Sequence, residues 1–205
     1  KRNIMRFFSQ LVSYLFHPLL IPLYGTVLYF RITPKFSPLE MQSGNVLPVF
    51  ILTVIIPVIS MLILRNLGMM QTSRLLRPQE RIYPLLIFLV LLLMVLFRVI
   101  PNNYAAELYF YFLGMIIATV ASLLLALAGK PVSLHMAGVG TLLMYLISLS
   151  IHFEKNIVLA ISACTLCTGL VGTARLYLQV HGRASVLTGW LIGLVSQLIL
   201  VRFWF

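Results

Sequence analysis

The sequence predicts an all-α, polytopic integral membrane helix bundle of six or seven transmembrane helices. Three observations carry that expectation. Of 205 residues, 61% are hydrophobic and only 9% are charged, and the apolar residues gather into long runs. A soluble domain covers its surface with roughly 25% charged residues, so lipid must be the main solvent of this chain. A crossing takes about 20 apolar residues to span a hydrocarbon core of about 30 Å. The chain therefore holds one integral membrane domain, residues 1–205, with no room for a separate soluble module.

Seven apolar segments follow in order, at roughly 10–30, 45–64, 83–100, 108–128, 136–152, 156–174 and 186–203. The first contains His17, Pro18 and Pro22. Proline removes a backbone donor, so this segment is expected to be kinked, re-entrant or tilted. Its length and its prolines do not fit a signal-peptide cleavage pattern. Residues 34–42 read as a loop, and Pro101-Asn102-Asn103 as a tight turn. In the sixth segment Cys164 and Cys167 share one helix face. A redox or metal pair needs a polar, accessible setting and further ligands, so these read as small packing residues. Gly189 and Gly193 make a GxxxG spacing in the last segment, and Gly169 and Gly172 lie near the end of the sixth, where small residues let helices approach. Tyr83, Tyr104, Tyr109, Tyr111, Trp190 and Trp204 fall near segment ends, as an aromatic belt would.

The formal net charge is +11, yet the basic residues sit between apolar segments and do not interleave with aromatics. That excludes a nucleic-acid binder and points to membrane lipids as partners. There is no Asp and there are four Glu, at 40, 80, 107 and 154. Mg²⁺ and Ca²⁺ sites are built from carboxylates, so neither a metal nor any other cofactor is expected.

If every segment crosses, the N-terminus and residues 65–82, 129–135 and 175–185 share one face of the membrane. His135 and His181 fall there with Arg74, Arg77, Arg81, Lys130, Arg175 and Arg183. The other face is expected to carry little chemistry. His152 is placed there as a solvated side chain, and His17 is assigned a structural or interfacial role. Arginine forks match phosphate oxygens and remain charged. One histidine can attack phosphorus while another protonates the leaving oxygen, and neither step needs a metal. The bland reading of the same arginines is a positive-inside loop. Lys and Arg outside this group number four on the first face and five on the second, which leaves orientation undecided.

Residues Arg175 to Ser185, with five residues between the arginine and His181, resemble the third signature of the type 2 phosphatidic acid phosphatase superfamily. That signature runs Ser-Arg, five residues, His, three residues, Asp; here Ala174 precedes the arginine and Ser185 stands at the Asp position. Val132-Ser133-Leu134-His135 is similar to the second, Pro-Ser-Gly-His, in its Ser and His. The first signature, Lys, six residues, Arg-Pro, fits either Arg77-Pro78, with Met70 at the Lys position, or Arg74 with Arg81, the register that keeps two cations. The resemblance covers a phosphatase-like core of about 70–195 and extends to a similar subgroup of small bacterial membrane proteins with degenerate blocks.

What it implies is a lipid phosphate or polyprenyl pyrophosphate phosphatase, expected in a bacterial cytoplasmic membrane, with a phosphorylated lipid as substrate. His181 would be the nucleophile and His135 the general acid, with Ser185 accepting a hydrogen bond from the nucleophile. Arg74, Arg77, Arg81, Lys130 and Arg175 would hold the phosphate, helped by the Ser133 backbone or hydroxyl. The alternative is a catalytically silent relative that binds or translocates anionic lipids.

Overall fold

The computed structural model describes residues 2–69, 78–100 and 105–204. Within them the chain forms eight helices and no strand: α1 (Arg2–Leu15), α2 (Ile21–Ile32), α3 (Leu39–Asn66), α4 (Ile82–Val99), α5 (Ala106–Leu127), α6 (Leu134–His152), α7 (Val158–Tyr177) and α8 (Arg183–Val201). The last six are long and apolar enough to cross a membrane. This is an all-α polytopic membrane bundle, and the protein is an integral membrane protein.

The first apolar segment differs from a single span. Pro18 disfavours helical backbone at His17, and α1 stops before it. Leu20 N–H then reaches back to the His17 carbonyl at 2.9 Å, and Leu19 N–H donates to His17 Nδ1 at 3.3 Å. Pro22 sits in the first turn of α2, where its missing N–H is no loss. α2 has 12 residues and a length of about 18 Å, and together with the turn before it the segment meets both ends of α6. At one end the His17 ring lies 5.2 Å from that of His135; at the other, Lys155 Nζ donates to the Ile32 carbonyl at 3.0 Å. α1 turns Ile4, Phe7, Phe8, Leu11 and Leu15 outward and buries Ser9 and Ser13. That is the pattern of a helix lying in the membrane interface with its apolar side in lipid.

α3 and α4 each contain one wide turn, at Ile51–Ile55 and Val95–Val99. In α3 it lies just before Pro57, which has no N–H for the ladder.

The core centres on α5 and α6. Tyr111, Phe112, Tyr145, Leu146 and Leu149 are fully enclosed, and the rings of Tyr111 and Tyr145 stack at 4.2 Å. The closest helix pair is α6 with α8, and the GxxxG spacing explains it. A methyl group on Gly189 would collide with the Ser133 carbonyl, and one on Gly193 with the Ala137 carbonyl. Without side chains at these two positions, α8 lies directly on the backbone of α6. Spacing that reads only as packing thus also sets the distance between the residues before α6 and those before α8.

The second membrane face is not empty. Glu107, 3% exposed, receives Lys35 Nζ at 2.7 Å, Tyr29 Oη at 3.2 Å and His152 Nε2 at 3.2 Å. His152 is therefore a half-buried partner of a carboxylate, not a solvated side chain. A buried carboxylate is stable only when paired and hydrogen-bonded, and here it ties α2 to α5 and α6.

Candidate functional site

The site lies at the other end of the bundle, where α6 and α8 begin and α7 ends. Gly182 caps α8 in extended backbone, leaving His181 one residue outside the helix. Ser185 occupies the first turn of α8, and its Oγ lies 2.9 Å from His181 Nδ1, with both side chains buried. When Nδ1–H donates to Ser185 Oγ, the lone pair is on Nε2. The two side chains thus stand at hydrogen-bond distance, and the serine brings no charge.

Burial first, and then the positive charges of Arg81 and Arg175, push the His181 imidazole down to about 3. It is therefore neutral near pH 7, as a nucleophile must be. Burial also lowers Arg81, which remains a cation. Arg81 Nη1 donates to the Val132 carbonyl at 2.8 Å, which fixes the guanidinium beside the residues that lead into α6. Arg175, in the last turn of α7, is half-buried, and its Nε is enclosed with no hydrogen-bond partner.

Two cavities meet here. A slot of about 290 Å³ holds His181 and Arg81 among Met61, Leu85, Phe88 and other apolar side chains from α3, α4 and α6. A vestibule of about 930 Å³ lies under α1 and is lined by polar groups including Asn3, Arg6, Gln10 and Gln179. His17, His135, Arg175 and Val180 line both cavities and form the neck between them.

Sequence reasoning assigned His17 a structural or interfacial role and no part in the site. It joins the neck, with its ring edge-on to His135. Since Nδ1 accepts the Leu19 N–H, the neutral ring carries its proton on Nε2. The available signal was an ionisable residue inside an apolar segment, which is a functional candidate by default. His135 Nε2 lies 3.1 Å from the Ser13 carbonyl. A carbonyl only accepts, so Nε2 is the protonated nitrogen and Nδ1 is the one left for chemistry.

The remaining expected residues fall as follows. The Ser133 backbone N–H donates to the Ser185 carbonyl at 3.1 Å, so it is committed to holding α8 and is not a phosphate donor. The Ser133 side chain is fully buried, with its hydroxyl unpartnered. Lys130 is exposed and lines neither cavity. Arg183 is exposed in the first turn of α8. Arg74 and Arg77 lie outside the described residues. Cys164 and Cys167 are partly buried free thiols on α7. Among the described residues, no three His, Cys or Glu side chains come together as a metal-ligand group.

The arrangement brings a neutral, oriented imidazole, a second histidine and two arginines to the junction of an apolar slot and a polar chamber. That chemistry suits a group that is anionic at one end and apolar at the other. Compared with protein-family models, curated proteins and solved structures, the chain matches none.

Proposed function

We propose that the protein is a metal-independent phosphatase of lipid phosphates or polyprenyl pyrophosphates that works through a phosphohistidine. The observation that carries this reading is the Ser185–His181 contact of 2.9 Å at the end of an apolar slot, with Arg81 beside it and Arg175 at the neck.

In the first step His181 Nε2 attacks phosphorus and forms the P–N bond. The P–O bond to the leaving group breaks, and its electron pair goes to the leaving oxygen. His135 keeps its own proton on Nε2 for the Ser13 carbonyl, so it must first take up a second proton at Nδ1, and it is this proton that it gives to the leaving oxygen. In the second step water attacks phosphorus, its proton passes to His135, and the P–N electron pair returns to His181. Arg81 and Arg175 neutralise the phosphoryl oxygens in both steps. The lipid tail stays in the slot, and membrane lipids are the surroundings. The resemblance supports placing the protein in a bacterial cytoplasmic membrane.

The test is phosphate release in detergent with EDTA present, offering phosphatidic acid, phosphatidylglycerol phosphate, a lipid A phosphate and undecaprenyl pyrophosphate. Release is expected from at least one of them, and His181→Ala is expected to abolish it while the protein stays folded. Equal release by the variant would sink the mechanism.

A second reading draws on two particulars of the same site. Ser185 brings no charge to stabilise the imidazolium, and the Ser13 carbonyl occupies one nitrogen of His135. A silent relative with these features would bind anionic lipid head groups, with salt sensitivity, and release no phosphate.

A further inference from the structure

The vestibule is far larger than one phosphate needs, and its lining is not neutral. A volume of about 930 Å³ lies near the upper end for pockets that hold drug-sized ligands, whereas a phosphoryl group has only a handful of heavy atoms. Arg6 and Arg175 both line this space, and among the described residues no carboxylate does. Two enclosed polar atoms of its lining residues have no partner: Ser13 Oγ, on a residue 8% exposed, and Arg175 Nε. Buried polar groups are almost always satisfied, and a ligand rich in acceptor oxygens reaching this wall would supply the partner that each of the two lacks. The orientation of α1 adds an independent argument. Ile4, Phe7, Phe8, Leu11 and Leu15 face outward, while Asn3, Arg6, Gln10 and Ser13 of the same helix line the cavity, Asn3 and Arg6 at its exposed rim.

We propose that the vestibule under α1 is a subsite for the second phosphate of a lipid diphosphate, read by Arg6 together with Ser13 and Arg175. This rests on the lipid phosphatase reading and narrows its substrate class to diphosphates. A monophosphate head group at the neck would already be matched by Arg81 and Arg175, and it would leave Arg6 and the Ser13 hydroxyl without a role. A neutral sugar head group would not call for two arginines and an acid-free lining. The diphosphate's apolar tail lies in the slot, its two phosphates bridge the neck, and the anion reaches Arg6. Arg6 and Ser13 lie outside the phosphatase-like core, so the N-terminal helix supplies this part of the subsite and α7 supplies Arg175.

The experiment is equilibrium binding to the purified full chain in detergent, in a His181→Ala background that prevents turnover. The probes are inorganic pyrophosphate and orthophosphate, and then a polyprenyl diphosphate and its monophosphate in mixed micelles. A charge-assisted contact with a second phosphate is expected to favour the diphosphate of each pair by about tenfold or more. Arg6→Gln is expected to remove most of that preference while leaving the monophosphate affinity unchanged. Ser13→Ala is expected to reduce it partway. Equal affinity within both pairs, no binding of any probe, or a preference that survives Arg6→Gln would overturn the subsite. A preference seen only with the lipid pair assigns the site to the membrane substrate; one seen with both assigns it to the anion itself. Phosphate release by the wild-type protein separates the two proposals. A preference without release removes the phosphatase reading and leaves the subsite, and release without a preference does the reverse.

Discussion

Replacing Ser185 by alanine tests the nucleophile without touching it. Ser185 Oγ is the side-chain partner of His181 Nδ1, at 2.9 Å and buried. On attack the imidazole gains positive charge as Nε2 bonds to phosphorus, so the Nδ1–H···Oγ contact becomes a hydrogen bond from a charged donor. Such bonds contribute about 1.5–3 kcal/mol. At about 1.4 kcal/mol per factor of ten, Ser185→Ala should slow phosphohistidine formation by roughly ten- to a hundredfold, with little change in substrate affinity. Ser185→Asp should go the other way and supply the charge that serine lacks. It should also raise the His181 pKa from about 3, moving the acid limb of the rate profile toward neutral pH. The sign is fixed by the depressed value. The neutral imidazole is the folded-state form, so its contribution to stability is complete above its unfolded pKa. That contribution is lost as pH falls toward about 3. Rapid-quench measurement of the acid-labile phosphoenzyme across pH gives the rates, and thermal unfolding in the same detergent gives the control. An unchanged formation rate in Ser185→Ala, with the fold intact, would refute the assigned role of the contact.

Two further perturbations test the frame that positions the site. Gly193→Ala puts a methyl group into the Ala137 carbonyl and should destabilise by about 1–3 kcal/mol; Gly169→Ala, with nothing within 4 Å, should be neutral or up to about 1 kcal/mol stabilising. Paired thermal melts read the contrast, and equal melts would mean that α6 and α8 are not held by backbone contact. Glu107→Gln removes the charge that pairs with Lys35 and replaces one of the oxygens that face Lys35, Tyr29 and His152 by an amide N–H₂, which cannot accept from Lys35. It should lower stability by about 1–3 kcal/mol yet leave phosphate release intact at permissive temperature, because it acts at the far end of the bundle. Lost release in a folded Glu107→Gln protein would show that the two ends are coupled.

Much of this protein is legible in the sequence. The six long helices could be read because lipid leaves no alternative: every backbone polar group must be satisfied within the segment, and apolar runs of spanning length follow. The neighbourhood of His181, Ser185 and Arg175 was legible too, since all three lie within 11 residues around one short connector. Proline in the first segment announced an irregularity without its form. Hydropathy does not distinguish a kinked span from an interfacial helix followed by a second short helix. That difference lies in which side of α1 meets lipid, and it depends on α7 and the vestibule.

What the sequence by itself determined is the solvent, the helical class, a count of six or seven apolar segments and the closeness in the chain of Arg175, His181 and Ser185. Each follows from composition, or from spacing within a few residues. Only the tertiary structure decided that His17 meets His135, that Arg81 reaches the Val132 carbonyl, and that Glu107 gathers Lys35, Tyr29 and His152. These partners are separated by tens of residues in the chain. They are brought together by the direct seating of α8 on α6 and by the path of α2 beside α6, and such long-range packing leaves no periodic signal in a single sequence.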